Sequence, residues 1–263
     1  MATTKTVTRV SGTDSAPEQG SRTFVPTPEN KGKATQLRII AVILWILGIA
    51  AQIGAIALLF KVPINMLWII ILIVVDLICV IIGSMLWKKS NRLDPASEKD
   101  KLKFFMQSQL GLITAVIAFL PLVIFILTSK NLDGKQKGIL GGIAGAALII
   151  GGLWGIDFNP PSVEQYAEQG NRVEWLKGSN EVFWTKSGKV YHLYNDCSHI
   201  NSSRTDEIFA GTVAAAHEEK KITNLCKTCE NRAIKERGLN EADYKPIESA
   251  VQAIGEEVEE LID

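Results

Sequence analysis

Apolar residues along this chain are gathered into four long runs rather than spread at helical or strand spacing. The first is Ile39 to Phe60, 22 residues in which Gln52 is the only strongly polar side chain. The second is Ile64 to Trp87, broken only by Asn65, Asp76 and Ser84. The third, Phe104 to Leu127, is uncharged and carries Gln107, Ser108, Gln109 and Pro121. The fourth, Gly138 to Ile156, is 19 residues rich in Gly. A bilayer core of about 30 Å takes roughly 20 helical residues, so each run is long enough to span it. Core helices of soluble proteins are seldom this long and uncharged, and four in succession are rarer still. The pattern predicts an α-helical membrane domain over 39–157, with transmembrane helices at 39–60, 64–87, 104–127 and 138–156 in two antiparallel hairpins.

The flanks read differently. Residues 1–38 are rich in Thr, Ser, Pro, Gly and Lys and poor in large apolar side chains, which predicts a disordered leader. The first apolar run starts too late and is too long for a cleavable signal. Residues 158–181 form a juxtamembrane linker in which 163–176 is an interfacial helix with Tyr166 and Trp175 near the headgroups. From Pro246 to Asp263, Ile247, Val251, Ile254, Val258 and Leu261 recur at alternating spacings of four and three. That is an amphipathic helix with an acidic outer face, and it fills most of the C-terminal stretch 239–263.

Charge then fixes direction. The chain has 28 basic and 28 acidic side chains. The zero sum hides +3 in residues 1–38, +4 in 39–157 and −7 in 158–263. The N-terminal tail and the link between runs two and three carry twelve Lys/Arg, against four in the other two links. By the positive-inside rule both termini face the cytoplasm, which predicts a multi-pass protein of the plasma membrane. An acidic C-terminal segment is a poor electrostatic match for nucleic acid.

Three features inside the runs invite function. Asp76 lies near mid-depth of its run, where a carboxylate is costliest. Gln52 in the antiparallel neighbour comes to within roughly 3 Å of the same depth, so a hydrogen bond between them is geometrically possible. Asp76 could serve a small transporter or channel as a proton or ion site, or could glue helices together as a protonated or amide-bonded group. No run offers it a basic partner, which favours the structural reading. Gly138, Gly142, Gly141, Gly145, Gly151 and Gly155 form small-x3-small pairs that suit close helix packing, within the bundle or in a homo-oligomer. Cys79 reads as a small hydrophobe, and Pro121 predicts a kink.

Soluble chemistry concentrates in 182–238. Val182–Thr185 and Val190–Leu193 are β-rich runs around a Gly-containing turn and predict a hairpin. His192-x4-Cys197 follows, then a loop to about Asp206, a helical stretch from Ile208 to Lys221 and a short strand within Ile222–Leu225. Cys226-x2-Cys229 then opens a helix from about Glu230 to Arg237. Three of the four Cys and all three His fall within 38 residues. Zn²⁺ favours four N/S ligands, and the cytosol keeps thiols reduced, so the cluster predicts a structural zinc site at His192, Cys197, Cys226 and Cys229. His199 competes with His192, which the hairpin holds more rigidly. His217 reads as a solvated side chain on a helix. A thiol-based sensor of alkylation or oxidation is the other use of such a site.

Thr185, Gly188, Tyr191, His192, Cys197, Thr212, the Ala214–Ala216 run, Cys226, Lys227 and Cys229 together resemble the small zinc-binding module related to the N-terminal domain of the Ada DNA-repair protein. Similar modules occur at the ends of bacterial nucleases and of many uncharacterised proteins. The resemblance covers about 48 residues and implies the same four zinc ligands in a small α+β fold. His192 stands where Ada carries a thiolate and no transferase is attached, which argues against sacrificial methyl transfer. The chain has no P-loop, dinucleotide Gly fingerprint, His-Glu-x2-His or Gly-x-Ser-x-Gly, so no enzyme is expected. The expected partners are the lipid bilayer and a cytosolic protein.

Overall fold

The computed structural model describes residues 6–10, 24–244 and 246. In chain order the elements are β1 (Thr6–Arg9), α1 (Pro28–Leu59), α2 (Met66–Leu93), α3 (Lys101–Thr128), α4 (Gly134–Gly155), α5 (Val163–Lys177), β2 (Val182–Thr185), β3 (Val190–Tyr191), β4 (Glu207–Gly211), α6 (Val213–Lys220), β5 (Asn224–Leu225) and α7 (Lys227–Arg237). They divide into two compact units, residues 31–160 and residues 1–30 with 161–263. The C-terminal amphipathic helix expected over 246–263 lies outside the described residues, apart from Pro246.

The first unit contains four helices long and apolar enough to cross a membrane. Each outlasts its apolar run because helix ends are set by caps rather than by hydropathy. Asp133 caps α4, which begins at Gly134, before the Gly138 that opens its run, and with Gln136 it forms a capping box. Asp100 starts α3 by accepting from the backbone N–H of Lys103. The polar residues from Pro28 to Arg38 are helical too, as the start of α1, so the expectation of a wholly disordered leader is corrected. Proline is well placed there, because the first helical position needs no N–H donor.

Close contacts pair the helices antiparallel. Along α1 and α2, Gly83 faces Ala41, Gly48 faces Asp76 and Gly54 faces Leu72. Along α3 and α4, Gly111 faces Gly155, Phe119 faces Gly151 and Leu127 faces Gly141. The buried core between them is Ile69, Ile73, Val80, Ala118, Phe119, Leu122, Leu140 and their neighbours. At one end a polar network ties the helices: Arg38 bonds the Asp94 carboxylate at 2.8 Å, while Trp87 and Asn91 both donate to the Gln107 carbonyl.

The second unit is a small α+β assembly. Its larger sheet has the order β1-β4-β2, with β1 parallel and β2 antiparallel to β4. Its smaller sheet pairs β3 with β5 in parallel. The chain turns back between β2 and β3 as a narrow hairpin whose pairing is a single antiparallel bridge, the mutual backbone bonds between Phe183 and His192, each 2.7 Å. Residues 208–211, expected to begin a helix, extend β4 instead. Ile208 and Ala210 are buried while Phe209 alternates outward, and helix starts only after Thr212 caps α6.

One part of the reading of residues 163–176 is corrected, the placing of the Tyr166 ring near headgroups. Tyr166, Gly170, Val173 and Leu176 recur on one face of α5 and are buried within this unit. Tyr166 packs edge-on against Phe24 and His217 rather than presenting its ring to headgroups. The core is completed by Val182, Trp184, Leu193, Ile208, Val213, Ile222 and Ala233.

Candidate metal centre

Four local structures deliver the four ligand-type side chains. His192 ends the hairpin and is fixed by the two backbone bonds to Phe183. Cys197 sits in a tight loop, where its carbonyl accepts from the N–H groups of Ile200 and Asn201. Cys226 is the N-cap residue of α7, and its N–H donates to the Tyr191 carbonyl at 2.9 Å, which locks the helix start to β3. Cys229 lies in the first turn of α7 and is 1% exposed. The Cys-x2-Cys spacing works because a cap residue and the third helical residue face the same side of the helix start.

The result is a buried group of four. One donor atom from each of His192, Cys197, Cys226 and Cys229 lies within 4.8 Å of every other, and the group could hold a metal ion. The contact between Cys229 Sγ and His192 Nδ1 is 3.7 Å. All three cysteines are free thiols, so no disulfide competes for them. They also belong to the apolar core itself, among Leu193, Ile200, Ile222 and Ala233.

Burial sets the electrostatics. It pushes the His192 imidazole down to about 4, with the His199 charge adding to the effect, so the ring is neutral and offers a lone pair. It pushes the Cys229 thiol up to about 12, and a bond to Cys197 adds to the rise. The backbone N–H groups of Leu193 and Tyr194 point the other way and favour the thiolate. Such donors are what a metal-bound sulfur uses to spread its charge. A thiol in this setting loses its proton to solvent readily only when a cation held between the donors takes the proton's place. The hairpin therefore contributes twice: it positions His192 and aims two amides at a cysteine of α7. Nothing in residue spacing reports those amides.

His199 lies outside the group of four. It is exposed, its Nε2 pairs with the Thr228 hydroxyl at 3.1 Å, and its ring centroid is 6.4 Å from that of His192. With Val190, Leu225, Lys227 and Thr228 it lines an open groove of 670 Å³ beside the centre. His217 is not the solvated side chain its helix suggested. It is 2% exposed, stacked edge-on with Tyr166 at 4.6 Å and hydrogen-bonded to Gln169. The Ala-rich face of α6 turns it toward α5, and burial lowers its basicity to about 4.

Inside the long helices, Asp76 and Gln52 do not bond to each other. Gln52 donates to the Ile117 carbonyl of α3 at 3.2 Å. Asp76 is 0% exposed, and neither carboxyl oxygen has a hydrogen-bond partner among the described residues. It lies where Gly48 of α1 leaves room, since a methyl group at residue 48 would meet Asp76 Oδ1 at 2.6 Å. The six glycines of the small-x3-small pairs in α4 separate into two sets. Gly141, Gly151 and Gly155 press on α3, whereas side chains at Gly138, Gly142 and Gly145 would meet nothing within 4 Å.

The chain matches no protein-family model, and comparisons with curated proteins and with solved structures likewise give no match.

Proposed function

We propose that this chain is an integral membrane protein that displays a structural zinc module to the cytoplasm for recognition of, or assembly with, a protein partner. The observation that carries the reading is the buried group of one imidazole and three thiols within 4.8 Å. Three sulfurs and a nitrogen are the donor set of structural Zn²⁺. Zinc bonds of about 2.3 Å to sulfur and 2.0 Å to nitrogen put tetrahedral S and N ligands roughly 3.5 Å apart. The 3.7 Å between Cys229 Sγ and His192 Nδ1 suits that geometry. Four protein ligands leave no open position for water, so the centre binds and shapes rather than hydrolyses. The likeness to Ada-type modules supports the same ligands, and the asymmetry of basic residues supports a plasma-membrane protein with cytoplasmic termini. A sensor role needs a thiolate open to reagents, and all three cysteines are buried.

Metal analysis of the full chain purified in detergent tests the reading. We expect about one zinc per chain, lost when Cys226 and Cys229 are both changed to Ser. Substoichiometric zinc in the wild type, or zinc retained by the double variant, sinks it.

A second reading is favoured by one observation, the fully buried Asp76 with no hydrogen-bond partner among the described residues. Intramembrane carboxyls commonly mark ion or proton paths. In that case Asp76→Asn abolishes cation or proton flux in liposomes, and unchanged flux removes the reading.

A further inference from the structure

β4 is covered on one side by β2 and on the other by β1, and the two covers differ in kind. β2 belongs to the core: Val182, Phe183 and Trp184 are all buried. β1 is a four-residue strand brought in from the other end of the sequence, with Thr6, Val7 and Arg9 exposed. It is held by its parallel ladder, Thr6 opposite Glu207 through Arg9 opposite Ala210, continued by the Val10 N–H donating to the Ala210 carbonyl at 3.0 Å. Two side-chain bonds add to the ladder. The Thr8 hydroxyl donates to the Glu207 carboxylate, and the Arg9 guanidinium pairs with Glu181 at 3.1 Å. Only Val10 packs against the core, and it does so partly buried.

Main-chain pairing with few side-chain anchors is how a sheet edge accepts an extended peptide. An edge of this kind pairs with any strand of suitable chemistry unless something already covers it. We propose that the β4 edge is a strand-accepting site for a cytosolic partner, and that residues 6–10 are its built-in, displaceable occupant. The inference rests on the partner-recognition reading of this unit and names the mode of recognition. The partner segment lies parallel to β4. It carries a hydroxyl side chain where Thr8 meets Glu207 and a basic side chain, one residue on, where Arg9 meets Glu181. The two glutamates make the edge acidic, so the register is chosen by charge as well as by the ladder. The chain's own strand competes through its tether, which holds it at high effective concentration.

The probe is a fluorescent synthetic peptide of residues 4–12 of this chain, measured by anisotropy against purified protein in detergent. Three proteins are compared: the full chain, a variant lacking residues 1–10, and the full-length Thr8→Pro variant, which loses one backbone donor and the hydroxyl. Saturable binding to both variants, at least about tenfold tighter than to the full chain, is expected from removal of a tethered competitor. Adding Glu181→Gln and Glu207→Gln to the truncated chain weakens the binding. Absence of saturable binding to both variants overturns the proposal, and so does equal binding by all three proteins. Zinc content read on the same samples reports on the metal reading separately, so failure of one is not mistaken for failure of the other.

Discussion

The two units distribute polarity in opposite ways. In the α+β unit the large apolar side chains are inside, and Cys197, Cys226 and Cys229 are part of that interior. In the long-helix unit the outward faces are apolar, as Ile46 at 61%, Leu67 at 66% and Ile149 at 65% exposure show. Its interior holds Gln52, Asp76, Ser84, Ser108 and Thr114. In water, apolar burial drives folding, and a small core needs a further staple. In hydrocarbon, apolar surface costs nothing outside, so helices meet through small residues and buried polar contacts. The same Gly or Cys therefore means different things in the two units. Gly155 is a point of backbone contact and Cys79 only a small apolar group, whereas Cys229 joins a site with three other donors.

The largest expected effect separates the units by their staple. Structural zinc contributes about 10–16 kcal/mol in small metal-folded modules, comparable to or above the whole stability of a domain. Chelation of the full chain in detergent, or the Cys226→Ser/Cys229→Ser change, is expected to unfold the smaller unit and leave the long helices intact. Circular dichroism should lose only the α5–α7 share of the helical signal, while Trp184 moves from a buried to a wet environment. Loss of the entire helical signal would break the comparison, since the long helices would then depend on the metal as well.

Acid should act on the same unit through His217. Burial against Tyr166 and Gln169 holds its basicity near 4, below its ordinary value of 6.5. The unfolded chain therefore binds a proton near pH 6.5 that the folded chain refuses. The contribution is fully present above about pH 6.5 and is lost as pH falls toward 4, by up to about 3 kcal/mol. His192 shifts in the same direction and belongs to the candidate metal centre, so the informative quantity is a difference. The melting-temperature gap between wild type and His217→Gln should narrow between pH 7 and 5, and a constant gap counts against the buried neutral imidazole.

The long-helix unit should be most sensitive at Gly155. A methyl group there would sit 2.5 Å from the Gly111 carbonyl carbon, against the Gly111–Leu112 peptide group, with no flexible side chain to give way. Gly155→Leu is expected to cost about 1–3 kcal/mol by overpacking. It should lower the detergent melting temperature of the bundle while leaving zinc content unchanged. A simultaneous loss of zinc would show that the two units do not fail separately.

The parts of the fold that were legible in the sequence are those set locally. Long uncharged runs announce long helices, and Cys226-x2-Cys229 with His192-x4-Cys197 announces a ligand cluster, because both patterns are consequences of short-range geometry. What escaped was set at a distance. Thr6–Arg9 has little apolar character, and it is a strand because β4 offers it a ladder about two hundred residues away. Ile208–Gly211 runs into an Ala-rich helix and is a strand because β2 and β1 flank it. The Tyr166 ring suits a headgroup region as well as a core, and only the packing of His217 decides between them. Asp76 and Gln52 share a depth, but depth along a helix does not give the direction of a side chain, and Gln52 points to α3.

The smallest expected effect has the opposite sign to that at Gly155 and comes from the same helix. Gly142 lies one turn from Gly138 and Gly145, and a side chain at any of the three meets nothing within 4 Å. Removing glycine from a helix interior gains backbone entropy worth up to about 1 kcal/mol, since alanine is the better helix former. With no neighbour to displace, Gly142→Ala should raise the detergent melting temperature slightly or leave it unchanged. Sequence alone gives these glycines the same small-x3-small spacing as the inner set, so the sign of the substitution is what tells a packing glycine from an outward one. If Gly142→Ala instead destabilises the bundle as much as a substitution at Gly155, both faces of α4 are packed in the folded protein and the assignment of this face to the outside is wrong.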